Sequence, residues 1–161
     1  MKMDQKNKIL IIDDEEDIRE NLQYQFSARG YEVATAQDGV DGFEKLDGVN
    51  PDLIVLDLNM PRMGGLEFYQ KICDKSGNPK YSTLILTARA NTEQLFKEFN
   101  IDGFIPKPFE IDDVIKESEI IIQNKKRRKN LESNKFISDS KGIFLVENDQ
   151  DAFNRIGIVL L

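Results

Sequence analysis

Pro51-Asp52-Leu53-Ile54-Val55-Leu56-Asp57-Leu58-Asn59-Met60-Pro61-Arg62-Met63-Gly64-Gly65 is the stretch on which the fold turns. Leu53 to Leu56 form an unbroken apolar run that stops on the carboxylate of Asp57. A run apolar on both alternating faces reads as a strand covered on both sides, as in a parallel sheet. Pro61 and Gly64-Gly65 then predict a sharp turn beside the end of that strand. The pattern recurs along the chain. Ile9 to Ile12 runs into Asp13-Asp14, Leu84 to Leu86 into Thr87, and Gly103-Phe104-Ile105 leads to Lys107. In an open parallel sheet the C-terminal strand ends share one edge, where ligands bind. Three carboxylates, a hydroxyl and an ammonium on one rim suit a divalent cation and a phosphoryl group.

Between these runs lie helical patterns. Strands are predicted at 8–12, 31–36, 52–56, 82–86 and 103–105. From Asp17 to Arg29, Ile18, Leu22 and Phe26 repeat at the spacing of one helical stripe, and Gly30 follows as a left-handed cap. Weaker helices are predicted from Asp38 to Leu46, Leu66 to Asp74 and Thr92 to Phe99, and a last one begins near Ile111. Five βα units with continuous apolar strands imply a doubly wound parallel sheet with helices on both faces.

The 161 residues, 40% of them hydrophobic, suffice for one domain with a real core and a remainder. No segment resembles a signal peptide or approaches the ~20 apolar residues of a membrane span. With the single Cys73, expected as a small core residue on a helix, this predicts a cytoplasmic protein. Histidine is absent, so no imidazole base, metal ligand or phosphohistidine is available here. Residues 1–120 carry 14 basic and 24 acidic side chains, residues 121–161 carry 8 and 5. An acidic body argues against nonspecific nucleic-acid binding. The run Lys125 to Lys129 reads as a solvated helix end or linker, or else as a patch for nucleic acid or membrane.

Beyond the sheet, Ile111, Val114, Ile115, Ser118, Ile121 and Ile122 keep helical spacing up to the basic run. A stripe that outlasts the sheet predicts a docking face for a partner or a second copy, although its first two turns are expected against their own domain. Ile143 to Asp151 echoes Ile9 to Asp17: four apolar residues, a polar pair, then a helix start. Residues 143–161 read either as the start of a second domain of the same kind or as an accessory strand and helix. The organisation is thus 6–123 for the main domain, 124–142 for a basic linker or helical extension, and 143–161 for this last segment.

Taken together, Asp13-Asp14, Asp57, Thr87 and Lys107-Pro108-Phe109 resemble the receiver domain of response regulators, the CheY-like fold, over roughly residues 6–123. The resemblance implies a five-stranded sheet of order 2-1-3-4-5. It implies a phosphoacceptor at Asp57, fed by a sensor histidine kinase or phosphotransfer protein, with Mg2+ held by Asp14, Asp57 and the carbonyl of Asn59, and by Asp13 mostly through water. Such an ion, rather than a general base, would activate the carboxylate. Two carboxylates ~4 Å apart repel by about 4 kcal/mol at an effective dielectric of 20, so an unneutralised cluster would raise its own pKa values. Lys107 would contact the phosphoryl oxygens and, beforehand, Asp57. Its bond to Pro108 is often cis in the family, and Pro106 departs from the usual pattern. Thr87 and Phe104 match the switch hydroxyl and the aromatic that follows it inward. Asn59 and Arg89 match variable positions that tune how long the phosphoryl group lasts.

Such a domain is not an enzyme on other substrates; it catalyses only its own phosphotransfer and dephosphorylation. A haloacid-dehalogenase-type phosphatase would need a general acid where Asn59 stands, and no GxGxxG or GxxxxGK[ST] is present. A pseudo-receiver, an interaction or dimerisation module not controlled by phosphorylation, is the alternative; it usually lacks part of the acidic set. The segment after residue 123 is too short for a winged-helix DNA-binding domain, so the downstream target is expected to be a protein. The chain reads either as a stand-alone receiver or as the front of a longer regulator.

Overall fold

The computed structural model describes residues 6–88 and 99–141, with side chains in the last helix described as far as residue 131. The helix expected from Thr92, the Arg89-Ala90 loop and the 143–161 segment lie outside the described residues. The chain divides into two compact units, residues 1–125 and 126–161.

Strands β1 (Lys8–Ile12), β2 (Glu32–Ala36), β3 (Leu53–Asp57), β4 (Ser82–Thr87) and β5 (Gly103–Pro106) form one parallel sheet in the order β2-β1-β3-β4-β5. Helices α1 (Glu16–Ala28), α2 (Gly39–Val49), α3 (Gly65–Ile72) and α4 (Ile111–Lys141) complete the described elements. The sequence reading of a doubly wound five-stranded sheet holds, with boundaries displaced by a residue or so.

Side-chain alternation along each strand separates two cores. Ile9, Ile11, Leu53, Val55, Leu84 and Leu86 face Leu22 and Phe26 of α1 and the apolar stripe of α4. Leu10, Ile12, Ile54 and Leu56 face Leu46 of α2 and Phe68, Tyr69 and Ile72 of α3. Burying each such side chain contributes about 1.5–3 kcal/mol, which is why the central strands are apolar without interruption. Edge strand β2 reads less apolar and is half-exposed. Pro106, at the end of the opposite edge strand, fits the rule that proline is tolerated on edges.

Two sequence readings need correction. The stripe on α4 does not outlast its own domain: Val114, Ile115, Ser118, Ile121 and Ile122 are all buried, the four apolar ones in the core beside α1. The case for a homodimer through this stripe falls with it, because the side chains invoked already have a partner in the sheet. The turn after β3 does not take its left-handed residue from the glycines. Gly64 has φ −71° as the N-cap of α3, and the left-handed residue of that loop is Arg62, at φ 62°. Second among the corrected readings, Cys73 is half-buried just past the end of α3 rather than within it. The basic run is helical, and residues 126–129 are exposed, in line with a solvated helix. Lys125 donates to the Asp52 carbonyl at 3.1 Å.

Candidate functional site

Asp57 is the last residue of β3, with its backbone opposite Leu86 of β4. Its partner strand β1 ends one residue before Asp13, whose amide continues toward β2 by donating to the Ala36 carbonyl at 3.2 Å. Thr87 closes β4, and its carbonyl accepts the Lys107 amide at 2.8 Å, which ties the end of β5 to that of β4. Asp13, Asp14, Asp57, Thr87 and Lys107 therefore converge on one edge of the sheet, as the sequence predicts. The Lys107–Pro108 bond is cis.

The three aspartates offer carboxylate oxygens that all lie within 4.8 Å of one another, with Asp13 and Asp57 buried and Asp14 exposed. Oδ1 of Asp13 accepts the Glu15 amide at 2.9 Å, and Oδ2 of Asp57 accepts the Asn59 amide at 3.2 Å. Among the described residues, the remaining Asp57 oxygen, Oδ1, is buried and accepts no hydrogen bond, with the Lys107 ammonium 3.4 Å away. A buried carboxylate oxygen left in this condition, beside two further carboxylates, fits a hard divalent cation. Burial pushes the pKa of Asp13 up, and the Glu15 amide and Lys107 pull it back only in part. Burial does the same to Asp57 against Lys107 and the Asn59 amide, and the nearby Asp14 adds to the rise.

Lys107 reaches the rim with its ammonium 3.4 Å from Asp57 Oδ1 and 3.2 Å from Asp13 Oδ2. Its shortest contact, 2.8 Å, is to Oε1 of Glu15. Burial opposes the charge, but the Glu15 hydrogen bond and the Asp13 and Asp57 carboxylates outweigh it and hold the lysine pKa above its ordinary value. The expected Lys107–Asp57 pairing is present, but it is the longest of three. Phe104 lies on β5, 37% exposed, so it is not a core residue. Asn59 stands in the loop just after the strand; Arg89 lies outside the described residues.

Two features of the loop after β3 escaped sequence reasoning. Asp38, nearly inaccessible, caps α2 by accepting the amides of Val40 (2.9 Å) and Asp41 (3.0 Å) through Oδ1. Its Oδ2 accepts Nε of Arg62 at 2.6 Å and also Nη2 of the same guanidinium. Asp38 before a helix start is legible as a cap; its arginine partner, 24 positions on, carries no sequence signal. A side chain on Gly39 would strike Met63, and one on Gly65 would collide with the Asp57 carbonyl oxygen. Gly65 is thus required for close approach: helix α3 starts hard against the end of β3.

Comparison with known proteins agrees with this geometry. The family model described as the response regulator receiver domain matches residues 9–119. Response regulator MprA of Mycobacterium avium (strain 104) is 31% identical over 128 residues, 78% of this chain and 55% of that protein. The chain spans about half the length of the curated relatives it matches. Among solved structures, chemotaxis response regulator CheY4 of Vibrio cholerae is 30% identical with a TM-score of 0.65, covering 73% of this chain and 99% of that one. Response regulator protein TrrA of Thermotoga maritima, solved in complex with Mg(2+)-BeF, is 30% identical with a TM-score of 0.62, covering 71% and 98%. The chain belongs to the response regulator receiver domain family.

Proposed function

We propose that residues 6–123 form a phosphoacceptor domain that takes a phosphoryl group on Asp57 from a phosphohistidine of a sensor kinase or phosphotransfer protein. A carboxylate oxygen of Asp57 attacks phosphorus, the P–N bond to the donor imidazole breaks, and its electron pair leaves with the imidazole nitrogen. The donor imidazole lies outside these 161 residues, which contain no histidine. The observation that carries the reading is the buried Asp57 Oδ1, which accepts no hydrogen bond among the described residues and lies beside two other carboxylates and a lysine ammonium. That the TrrA structure is a complex with Mg(2+)-BeF supports the same chemistry here.

Asp14, Asp57 and the Asn59 carbonyl would hold Mg2+ directly, with Asp13 mostly through water. When bound, the ion neutralises the carboxylates and the incoming phosphoryl charge. Lys107 supplies a second positive charge to the phosphoryl oxygens. Thr87 would donate its hydroxyl to them, and Phe104 would follow inward, altering the face read by a downstream protein target. The domain acts in the cytoplasm and catalyses only its own phosphotransfer and dephosphorylation.

The test is labelling of the full chain with acetyl phosphate. Mg2+-dependent label is expected in the wild type and none in Asp57→Asn. Label retained in Asp57→Asn would overturn the assignment. Partner capture unchanged by beryllofluoride would favour an interaction module not controlled by phosphorylation.

A further inference from the structure

Glu15 is the N-cap of α1, yet its side chain makes no capping bond. Caps favour Ser, Thr, Asp and Asn because a short side chain can turn back to the first amides of the helix. Glu15 instead fixes its own amide on Asp13 Oδ1 and sends its carboxylate across to the end of β5. There it makes the shortest of the three ion pairs of the Lys107 ammonium among the described residues, 2.8 Å against 3.2 Å to Asp13 and 3.4 Å to Asp57. The other two carboxylates are buried at strand ends, whereas that of Glu15 is 59% exposed at the tip of a flexible side chain. One acceptor of the ammonium is therefore adjustable, and two are fixed.

We infer that Glu15 is a positioning residue that holds the Lys107 ammonium on the outer side of the site, in competition with whatever occupies Asp57. The inference rests on Asp57 being the phosphoacceptor. A phosphoryl group on Asp57 must draw the ammonium away from Glu15 before Lys107 can stabilise it. The tighter this hold, the less Lys107 contributes to forming and keeping the phosphoryl group. Releasing the ammonium raises the phosphorylated fraction. An ion pair as exposed as this one corresponds to a change of about 1.4- to fivefold.

Aspartate separates position from charge. In Glu15→Asp the charge remains, but the shorter side chain cannot span to Lys107 and has the preferred length for capping α1. Glu15→Gln removes the charge and weakens the hold; Glu16→Gln removes the same charge from a neighbouring exposed residue. The first readout is the 13Cε resonance of Lys107 in the full chain without metal, assigned with Lys107→Ala. It is expected to move in Glu15→Asp and Glu15→Gln and to stay in Glu16→Gln. The second is steady-state label from acetyl phosphate with Mg2+. It is expected to rise about 1.4- to fivefold in both Glu15 variants, and not when either is combined with Lys107→Ala.

A labelled wild type with Glu15→Asp unmoved in both readouts would overturn the positioning role alone. Equal gains in Glu16→Gln and Glu15→Gln would reduce Glu15 to bulk charge and overturn it too. No label at Asp57 in any protein, the wild type included, would remove the phosphoacceptor reading, and the resonance would still decide whether Glu15 holds Lys107.

Discussion

Asp38 has four hydrogen bonds packed onto one carboxylate, and they decide its protonation. Burial alone would raise its pKa, but the Asp41 amide, the Arg62 guanidinium and the Val40 amide outweigh burial and hold it below the ordinary carboxylate range. A depressed pKa in the folded state means stability that is present above the unfolded value of about 4 and lost as pH falls through the folded one. Arg62→Ala removes part of the depression. Its acid-unfolding midpoint is expected at higher pH than that of the wild type, followed by circular dichroism. The loss at neutral pH should be small, about 0.5–1 kcal/mol, because Arg62 is itself half-exposed. An unchanged acid midpoint would mean that the guanidinium does not set the Asp38 pKa. Such a pair is invisible in sequence. Nothing about an arginine in a loop says that its backbone is left-handed or that its partner caps a different helix.

At the scale of elements, the strands were legible because burial on both faces leaves no polar interruption between Leu53 and Leu56, or between Ile9 and Ile12. A polar residue ending each run marked the rim, so Asp13, Asp57 and Thr87 could be found from hydropathy alone. Glu15 could not. In Asp13-Asp14-Glu15-Glu16 four acids look alike, and which of them crosses to β5 depends on the helix start and on side-chain length. The last helix misled for another reason: a periodic stripe states that a face is covered, not by what. Since Ile122 is covered by its own sheet, Ile122→Ala is expected to lower stability by about 2–4 kcal/mol. Urea midpoints should fall by the same amount at low and high protein concentration. A midpoint that rises with concentration in the wild type and loses that dependence in the variant would restore the second-copy reading.

For the whole molecule, a net charge of −7 is joined to a local cluster: among the described residues, Asp13, Asp14 and Asp57 bring carboxylate oxygens within 4.8 Å of one another. The folded state without a cation bears that repulsion, so a cation that binds only the folded rim must stabilise it. At ten times its dissociation constant, Mg2+ should add about 1.4 kcal/mol by mass action, read as a rise in thermal midpoint. Asp14→Asn, altering the exposed member of the trio, should flatten that response without disturbing the core. A full response in this variant would relocate the ion.

The start of α3 carries one more implication. With only a hydrogen on Gly65 between that helix and the Asp57 carbonyl, and the Gly65 amide donating to the Leu58 carbonyl at 3.1 Å, the wall on this flank is already in contact. Close-packed interiors resist compression. The strand end that carries Asp57 therefore has no slack toward α3, and a side chain at residue 65 would have to lever the helix off it. A single missing methyl thus fixes how near this helix stands to the strand that presents Asp57.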